Sequence, residues 1–257
     1  MASSKLIISV LFYCRIISCS EGTSGCGLCG SSWISGKQLL TAAHCVDANQ
    51  SGNKPDHKVY VYQWLGNGGD FSQSTGPAYI VPTDNVVLHA NWNLDLLTSG
   101  YDIAILNVPR EDDSPNIIKL ASQAETEQLT RCDFFTAYGT GTINTGQPSS
   151  DQLLKTGPLQ NLNCHGNFEG DLGFYGYWKD NVLQGYYNLQ PNTEAMVCVN
   201  TTVEYQELGY STVCQGDSGG PLVRKDKLFG LTSYNMPPCD GGLPSMFTSV
   251  GHYSGKE

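Results

Sequence analysis

The chain has 257 residues, with 24 acidic against 14 basic side chains and a formal net charge of −10. That acidity, without any cluster of Lys or Arg, argues against nucleic acid as a partner. Charged residues are only 15%, whereas Gly (29) and Tyr (14) are plentiful, a composition that favours short strands and turns over long surface helices.

Lys5 precedes a mostly apolar run from Leu6 to Cys14, and the small residues Ser18 and Ser20 suit cleavage before Glu21. Residues 1–20 therefore read as a secretory signal peptide, interrupted near its end by Arg15. The apolar run is too short to span a bilayer, so no membrane anchor is expected. Ten cysteines agree with an oxidising, extracellular compartment.

Cys26-Gly27-Leu28-Cys29 is nominally a CxxC pair, but no second pair stands at zinc spacing and no βαβ pattern surrounds it. Thr41-Ala42-Ala43-His44-Cys45 follows. Val59 to Tyr62 and Tyr79 to Val81 are β-rich, separated by the Gly/Asn/Asp loop 66–70, and Asn85 to His89 and Ile103 to Leu106 continue the pattern. Asp102 heads the last of these, either as a strand-capping carboxylate or as a functional acid. Residues 107–131, with Pro109, Pro115 and the acidic Glu111-Asp112-Asp113, read as a linker into a second half that opens with Cys132 to Gly141. Gly139-Thr140-Gly141 lacks the strand–helix context of a nucleotide loop.

Between Cys164 and Cys198 lie Phe168, Phe174, Tyr175, Tyr177, Trp178, Tyr186 and Tyr187 among glycines. They form either a cluster packed on itself or an aromatic wall beside an extended substrate site. Asn49-Gln50-Ser51 and Asn200-Thr201-Thr202 are glycosylation sequons, which imply surface loops where they are used. His57, His89, His165 and His252 are isolated, so no metal site is expected from them, and no cofactor is implied.

The most informative stretch is Cys214-Gln215-Gly216-Asp217-Ser218-Gly219-Gly220-Pro221-Leu222. A serine between an acid and two glycines suits a nucleophile on a tight turn, where glycine allows main chain to approach a substrate closely. The Gly216 and Ser218 amides can then converge on one oxygen as an oxyanion hole. A serine hydroxyl needs a base and an orienting acid, and His44 and Asp102 are the candidates.

These three segments, in the order His44, Asp102, Ser218, resemble the chymotrypsin-like (trypsin-fold) serine peptidases from about Cys29 to Val250. The resemblance implies an all-β fold of two six-stranded Greek-key β-barrels, about 26–110 and about 130–250 within a domain 21–257, with the active site between them. The first strand and the C-terminal helix are expected to be incomplete. It further implies disulfides Cys29–Cys45, Cys164–Cys198 and Cys214–Cys239. The family partner of Cys132 falls at Arg224, so Cys132 and Cys26 are left over, to pair with each other or leave one thiol.

A specificity pocket lined by Thr212, Ser233, Tyr234, Asn235 and Ser245 is implied as well, with Ser233 to Asn235 also pairing with substrate main chain as an added strand. Relatives that cleave after basic residues carry an aspartate where Thr212 stands. Its absence disfavours Arg and Lys substrates and points to small or medium uncharged side chains, as in chymotrypsin or elastase. The implied protein is a secreted, monomeric serine endopeptidase acting on proteins or peptides and open to proteinaceous inhibitors. The alternative is an inactive homologue that binds partners. It draws on the lack of an Ile-Val-Gly-Gly-like activation terminus for Asp217 at the usual distance before Cys29; Arg15-Ile16-Ile17-Ser18 matches such a terminus only superficially.

Overall fold

The computed structural model describes residues 12–19, 26–48, 57–63, 71–73, 76–109, 116–143, 148–162, 192, 194–208, 212–235, 239 and 244–255. The expected leader's cleavage point and the sequon at Asn49 lie outside them, as do Cys164 and most of the aromatic segment that follows it.

Two antiparallel barrels make up the fold. The first is a seven-stranded sheet of β1 (Tyr13–Cys19), β2 (Cys26–Ser35), β3 (Gln38–Thr41), β4 (Lys58–Gln63), β5 (Tyr79–Pro82), β6 (Val86–Leu88) and β7 (Ala104–Asn107), in the order β5-β4-β1-β2-β3-β7-β6. Two-residue alternation sets its inside: Val59 and Val61 of β4 are fully buried, and with Ile16, Trp33, Leu39 and Leu106 they build one core. Burying each such side chain contributes roughly 1.5–3 kcal/mol.

β1 departs from the sequence reading. Residues 13–19 fall within the stretch expected to be a leader, yet they form a strand paired with β2 on one side and β4 on the other. Tyr13, Cys14 and Ile16 have no exposed surface; Cys14 and Ile16 face the barrel core, and Arg15, which breaks the apolar run, shares the other face with Tyr13 and reaches Asp151 at 2.7 Å. Cys19 is joined to Cys26, its register partner on β2, so Cys26 pairs with neither Cys132 nor a metal. At the same end, Ser18 Oγ lies 2.8 Å from His57 Nε2 and ties β1 to the start of β4.

The segment expected as linker carries structure of its own. β8 (Lys119–Leu120) pairs in parallel with β14, Lys227–Asn235. Helix α1 (Gln123–Glu127) begins with a reciprocal cap between Ser122 and Glu125. The second barrel contains β9 (Phe134–Gly139), β11 (Leu159–Asn161), β12 (Met196–Thr201), β13 (Pro221–Arg224), β14 and β15 (Ser245–Ser249). They run β9-β11-β12-β15-β14-β13, and the β13–β9 pairing closes the ring; β10 (Leu154–Lys155) adds an outer strand on β9. Phe135, Leu159, Leu222, Phe229 and Phe247 fill its core. Every residue of β12 is buried; Asn200 is 5% exposed and has no room for a glycan. Two short helices complete the described residues, α2 (Val203–Glu207) and α3 (Val250–Tyr253), and no helix among them is long and apolar enough to cross a membrane.

Cys29–Cys45 and Cys214–Cys239 are closed, and Cys198 is disulfide-bonded. Cys14 and Cys132 stay outside the disulfides, the former buried and the latter exposed. Next to Cys132, Asp133 forms an ion pair with Arg224, so a charge pair joins the start of β9 to the end of β13.

Candidate active site

The histidine is delivered by β3. This strand ends at Thr41, and the chain turns through a single 3-10 turn, Ala43–Cys45, whose flanking Ala43 and Cys45 are buried and whose Cys45 is pinned to β2. His44 is left at the surface of the turn with 21% of its side chain exposed. Asp102 sits just before β7 and is completely buried. The β3–β7 ladder, with Thr41 opposite Ala104, brings the two together.

A buried carboxylate is tolerated only when its oxygens are satisfied, and here they are. Oδ1 accepts from the His44 backbone N–H at 2.9 Å, and Oδ2 accepts from His44 Nδ1 at 2.7 Å. Ser233 Oγ donates to the same Oδ2 at 2.6 Å, and Thr248 Oγ1 donates to the Asp102 carbonyl at 3.0 Å. Burial works against the imidazolium of His44, but the charge and hydrogen bond of Asp102 outweigh it and raise its pKa above the ordinary value. Nδ1 as donor leaves Nε2 as the basic nitrogen.

Cys29, His44 and Cys45 bring ligand-type atoms within 4.8 Å of one another, but the two sulfurs are bonded to each other and supply no thiolate for a metal. His44 Nε2 lies 3.7 Å from Cys45 Sγ.

Ser218 is carried by a tight turn that only glycine permits. Gly216 has φ +92° and Gly219 φ +72°, and a Cβ at Gly219 would strike Thr41 Oγ1 and lie 2.6 Å from the Gly30 carbonyl. Gly30 N–H donates to the Ser218 carbonyl at 2.7 Å, while Thr41 Oγ1 donates to the Gly30 carbonyl at 2.8 Å. The serine segment is thereby stitched to the strand ends that hold the histidine. Among the described residues no hydrogen bond joins Ser218 Oγ to His44 Nε2, a contact that often tightens only with substrate.

The amides of the turn divide into two sets. Asp217 N–H donates to the Cys214 carbonyl, Gly219 N–H to Thr232 and Gly220 N–H to Asp217. Those of Gly216 and Ser218 donate to no protein acceptor among the described residues, which is the condition an oxyanion hole requires.

Asp217 itself is half-buried and accepts from the backbone N–H groups of Cys214 and Gly141, both at 2.8 Å. It faces a cavity of about 210 Å³ bordered by Gly139, Gly141, Thr142 and Thr212. No cationic side chain among the described residues pairs with it. Burial pushes its pKa up to about 6, with the two backbone hydrogen bonds pulling the other way.

The residues expected to line a specificity pocket separate into three roles. Thr212 and Ser245, both buried, share a hydroxyl–hydroxyl bond of 2.6 Å. Asn235 Nδ2 donates to the Val213 carbonyl at 2.6 Å and lies 3.4 Å from Cys239 Sγ. Ser233 occupies a bulge where the β14–β15 register shifts between Thr232 and Tyr234, and the bulge turns its hydroxyl onto Asp102. Its side chain thus orients the acid. The β13 side of the ladder ends at Pro221↔Leu231, and Ser233-Tyr234-Asn235 run beyond it.

A family model described as Trypsin matches residues 17–255. Curated relatives include chymotrypsin-like elastase family member 1 of Homo sapiens, 28% identical over 239 residues and covering 91% of this chain and 81% of the relative. Kallikrein-8 of Homo sapiens is 26% identical over 235 residues, covering 88% and 74%. Among solved structures, the scabies mite inactivated protease paralogue S-D1 matches with a TM-score of 0.65 at 21% identity, covering 96% of this chain and 90% of that one. At that identity the likeness speaks for the fold alone.

Proposed function

The chain belongs to the trypsin family, and from that premise we propose that it is a secreted, monomeric serine endopeptidase working through an acyl-enzyme. Ser218 Oγ attacks a peptide carbonyl as His44 Nε2 takes its proton, and Asp102 stabilises the imidazolium that results. The carbonyl oxygen, now negative, receives the N–H groups of Gly216 and Ser218. Collapse of the adduct breaks the peptide bond, with His44 passing its proton to the leaving amine. Water then enters by the same route, losing a proton to His44 and releasing the acid and Ser218.

The observation that carries this reading is the Asp102 carboxylate, buried and bonded to His44 Nδ1 at 2.7 Å. A buried acid aimed at one ring nitrogen has the cost of its charge offset only if that nitrogen keeps its proton, which leaves the other nitrogen basic. The paired hydroxyls of Thr212 and Ser245 support a neutral pocket base, hence cleavage after small or medium uncharged residues in protein substrates. A buried Arg or Lys side chain would find no counter-charge there. Disulfides at Cys19–Cys26, Cys29–Cys45 and Cys214–Cys239 support an extracellular site of action.

A second reading, an inactive homologue that binds partners, is favoured by the absence of a cationic partner for Asp217 among the described residues and of a Ser218–His44 bond. A serine-reactive fluorophosphonate separates the two. Stoichiometric labelling of Ser218, lost in His44→Ala, is the outcome expected of the enzyme. A folded chain that takes no label is the outcome expected of the second reading.

A further inference from the structure

Trp92 and Asp47 stand outside the triad, yet each belongs to a segment that carries one of its members. Asp47 lies just beyond the 3-10 turn of His44, and its backbone N–H donates to the Ala43 carbonyl at 3.0 Å. Trp92 closes the turn that follows β6, its backbone N–H donating to the His89 carbonyl at 2.9 Å. The N–H of His89 donates in turn to the carbonyl of Ile103, the neighbour of Asp102, at 3.1 Å. From Trp92 the chain runs through the 3-10 helix Leu94–Ser99 to Gly100 and on to Asp102.

The two segments meet a second time through their side chains: Trp92 Nε1 donates to Asp47 Oδ2 at 2.9 Å. A circuit of bonds is thereby closed. It runs from His44 to Asp102, from Ile103 to His89, from Trp92 to Asp47, and from Asp47 back to Ala43. One attachment between two loops leaves them free to turn about it, whereas two fix the angle. The entry to the His44 turn is held by the pairing of Thr41 with Ala104, and its Cys45 by the disulfide to β2. The exit, Val46-Asp47, is where Trp92 acts. Its indole packs against the core of the first barrel, so packing aims its single N–H. A bond from N–H to carboxylate is charge-assisted and stronger than a neutral one.

We infer that Trp92, acting through Asp47, is a positioning residue for His44: it fixes the exit of the base's turn against the segment that carries the acid and keeps His44 Nδ1 aligned on Asp102 Oδ2. The effect on turnover rests on the peptidase reading above; the alignment does not.

Three variants of the full chain separate the parts. Trp92→Phe keeps an aromatic ring against the core and removes the N–H. Asp47→Leu removes the acceptor, and Asp47→Asn keeps an acceptor oxygen without the charge. Each is first combined with Ser218→Ala, and the His44 Nδ1 proton is followed by proton NMR, where its hydrogen bond to a carboxylate moves it far downfield. Loss of a hydrogen bond to a charged group loosens a contact by about tenfold or more. Exchange of the Nδ1 proton with water should therefore quicken about tenfold in Trp92→Phe and Asp47→Leu, and stay close to that of the Ser218→Ala chain in Asp47→Asn. With Ser218 restored, the first two should lose about tenfold in kcat on a peptide ester at nearly unchanged KM, since a misaligned base costs rate steeply, while Asp47→Asn loses little. General loosening of the barrel moves melting temperature and KM together and is not rescued by Asn. A parent chain that takes no fluorophosphonate refutes the peptidase reading, and the NMR comparison then decides the positioning by itself. Absence of the downfield proton from the Ser218→Ala chain, unchanged exchange or parental kcat in Trp92→Phe, or equal damage from Asp47→Asn and Asp47→Leu overturns the proposal.

Discussion

Ser233 Oγ and His44 Nδ1 meet on the same oxygen, Oδ2 of Asp102, at 2.6 and 2.7 Å. The two donors arrive from different barrels, one from β14 and the other from the turn after β3. Asp102 is therefore oriented by the packing of the two halves, and its tautomer control over His44 is only as precise as that packing.

Removing one of these donors tests the arrangement. Ser233→Ala is expected to lower kcat with little change in KM, since Ser233 acts on the acid and not on substrate through its side chain. A hydrogen bond to a charged group is worth about 1.5–3 kcal/mol, or roughly ten- to a hundredfold in rate. Ser233→Thr, which keeps the hydroxyl, should recover most of it. A fall in KM-controlled binding with kcat intact would show that Ser233 contacts substrate instead.

The raised pKa of His44 fixes a pH profile. The base works only when neutral, so kcat/KM on a peptide ester should fall as pH drops through an inflection above the ordinary histidine value. Asp102→Asn removes the charge that raises the pKa, and the inflection should move to lower pH along with a large loss of rate. The stability contribution of the His44–Asp102 pair has the opposite sign. It is fully present below the unfolded histidine pKa and is lost as pH rises through the raised folded value.

Asp217 predicts a second, independent pH effect. Its folded pKa of about 6 stands above that of an ordinary aspartate, so the folded state holds the proton more tightly than the unfolded chain does. The resulting stability is complete below the unfolded value and is lost as pH rises through about 6. For a carboxylate that keeps some solvent contact this amounts to roughly 2 kcal/mol. Chemical denaturation at several pH values should show a decline between acid and neutral pH that Asp217→Ala removes. A flat profile in the parent chain refutes the assignment.

A chain begun at Glu21 loses β1, and with it Tyr13, Cys14 and Ile16, all without exposed surface. Deleting several buried side chains at about 2–5 kcal/mol each exceeds the stability of an ordinary domain. The truncated chain should therefore fail to fold, giving no cooperative melting transition by circular dichroism where the full chain gives one. A sharp transition in the truncated chain would mean that β1 is dispensable.

The site was legible where chemistry demands particular residues in a row. Thr41 to Cys45, Tyr101 to Leu106 and Cys214 to Leu222 marked the segments that the fold brings together, the His44–Asp102 pair and the glycine-framed turn of Ser218, because such a turn needs φ > 0 neighbours and a buried acid needs a strand to hold it. β1 was not legible: Lys5 followed by an apolar run satisfies the pattern of a leader, and Arg15 reads as an interruption until alternation places it on the outer face. Reading residues 1–20 as a leader also left Cys19 out of account as the partner of Cys26. The side-chain role of Ser233 was hidden because it depends on a β-bulge, a property of two strands in register and not of the segment containing the serine. The bond of Trp92 to Asp47 likewise exists only once β3, β7 and β6, separated in sequence, are aligned.

Because the Gly30 amide holds the Ser218 carbonyl, and backbone from the opposite half already fills the space beside Gly219 and Gly30, the seam between the halves admits no side chain at those points. Solvent-facing loops are under no such constraint. The spacing between the serine's turn and the strand ends beneath it is therefore set by main chain on both sides, and any side chain introduced at Gly30 or Gly219 has to force the two halves apart.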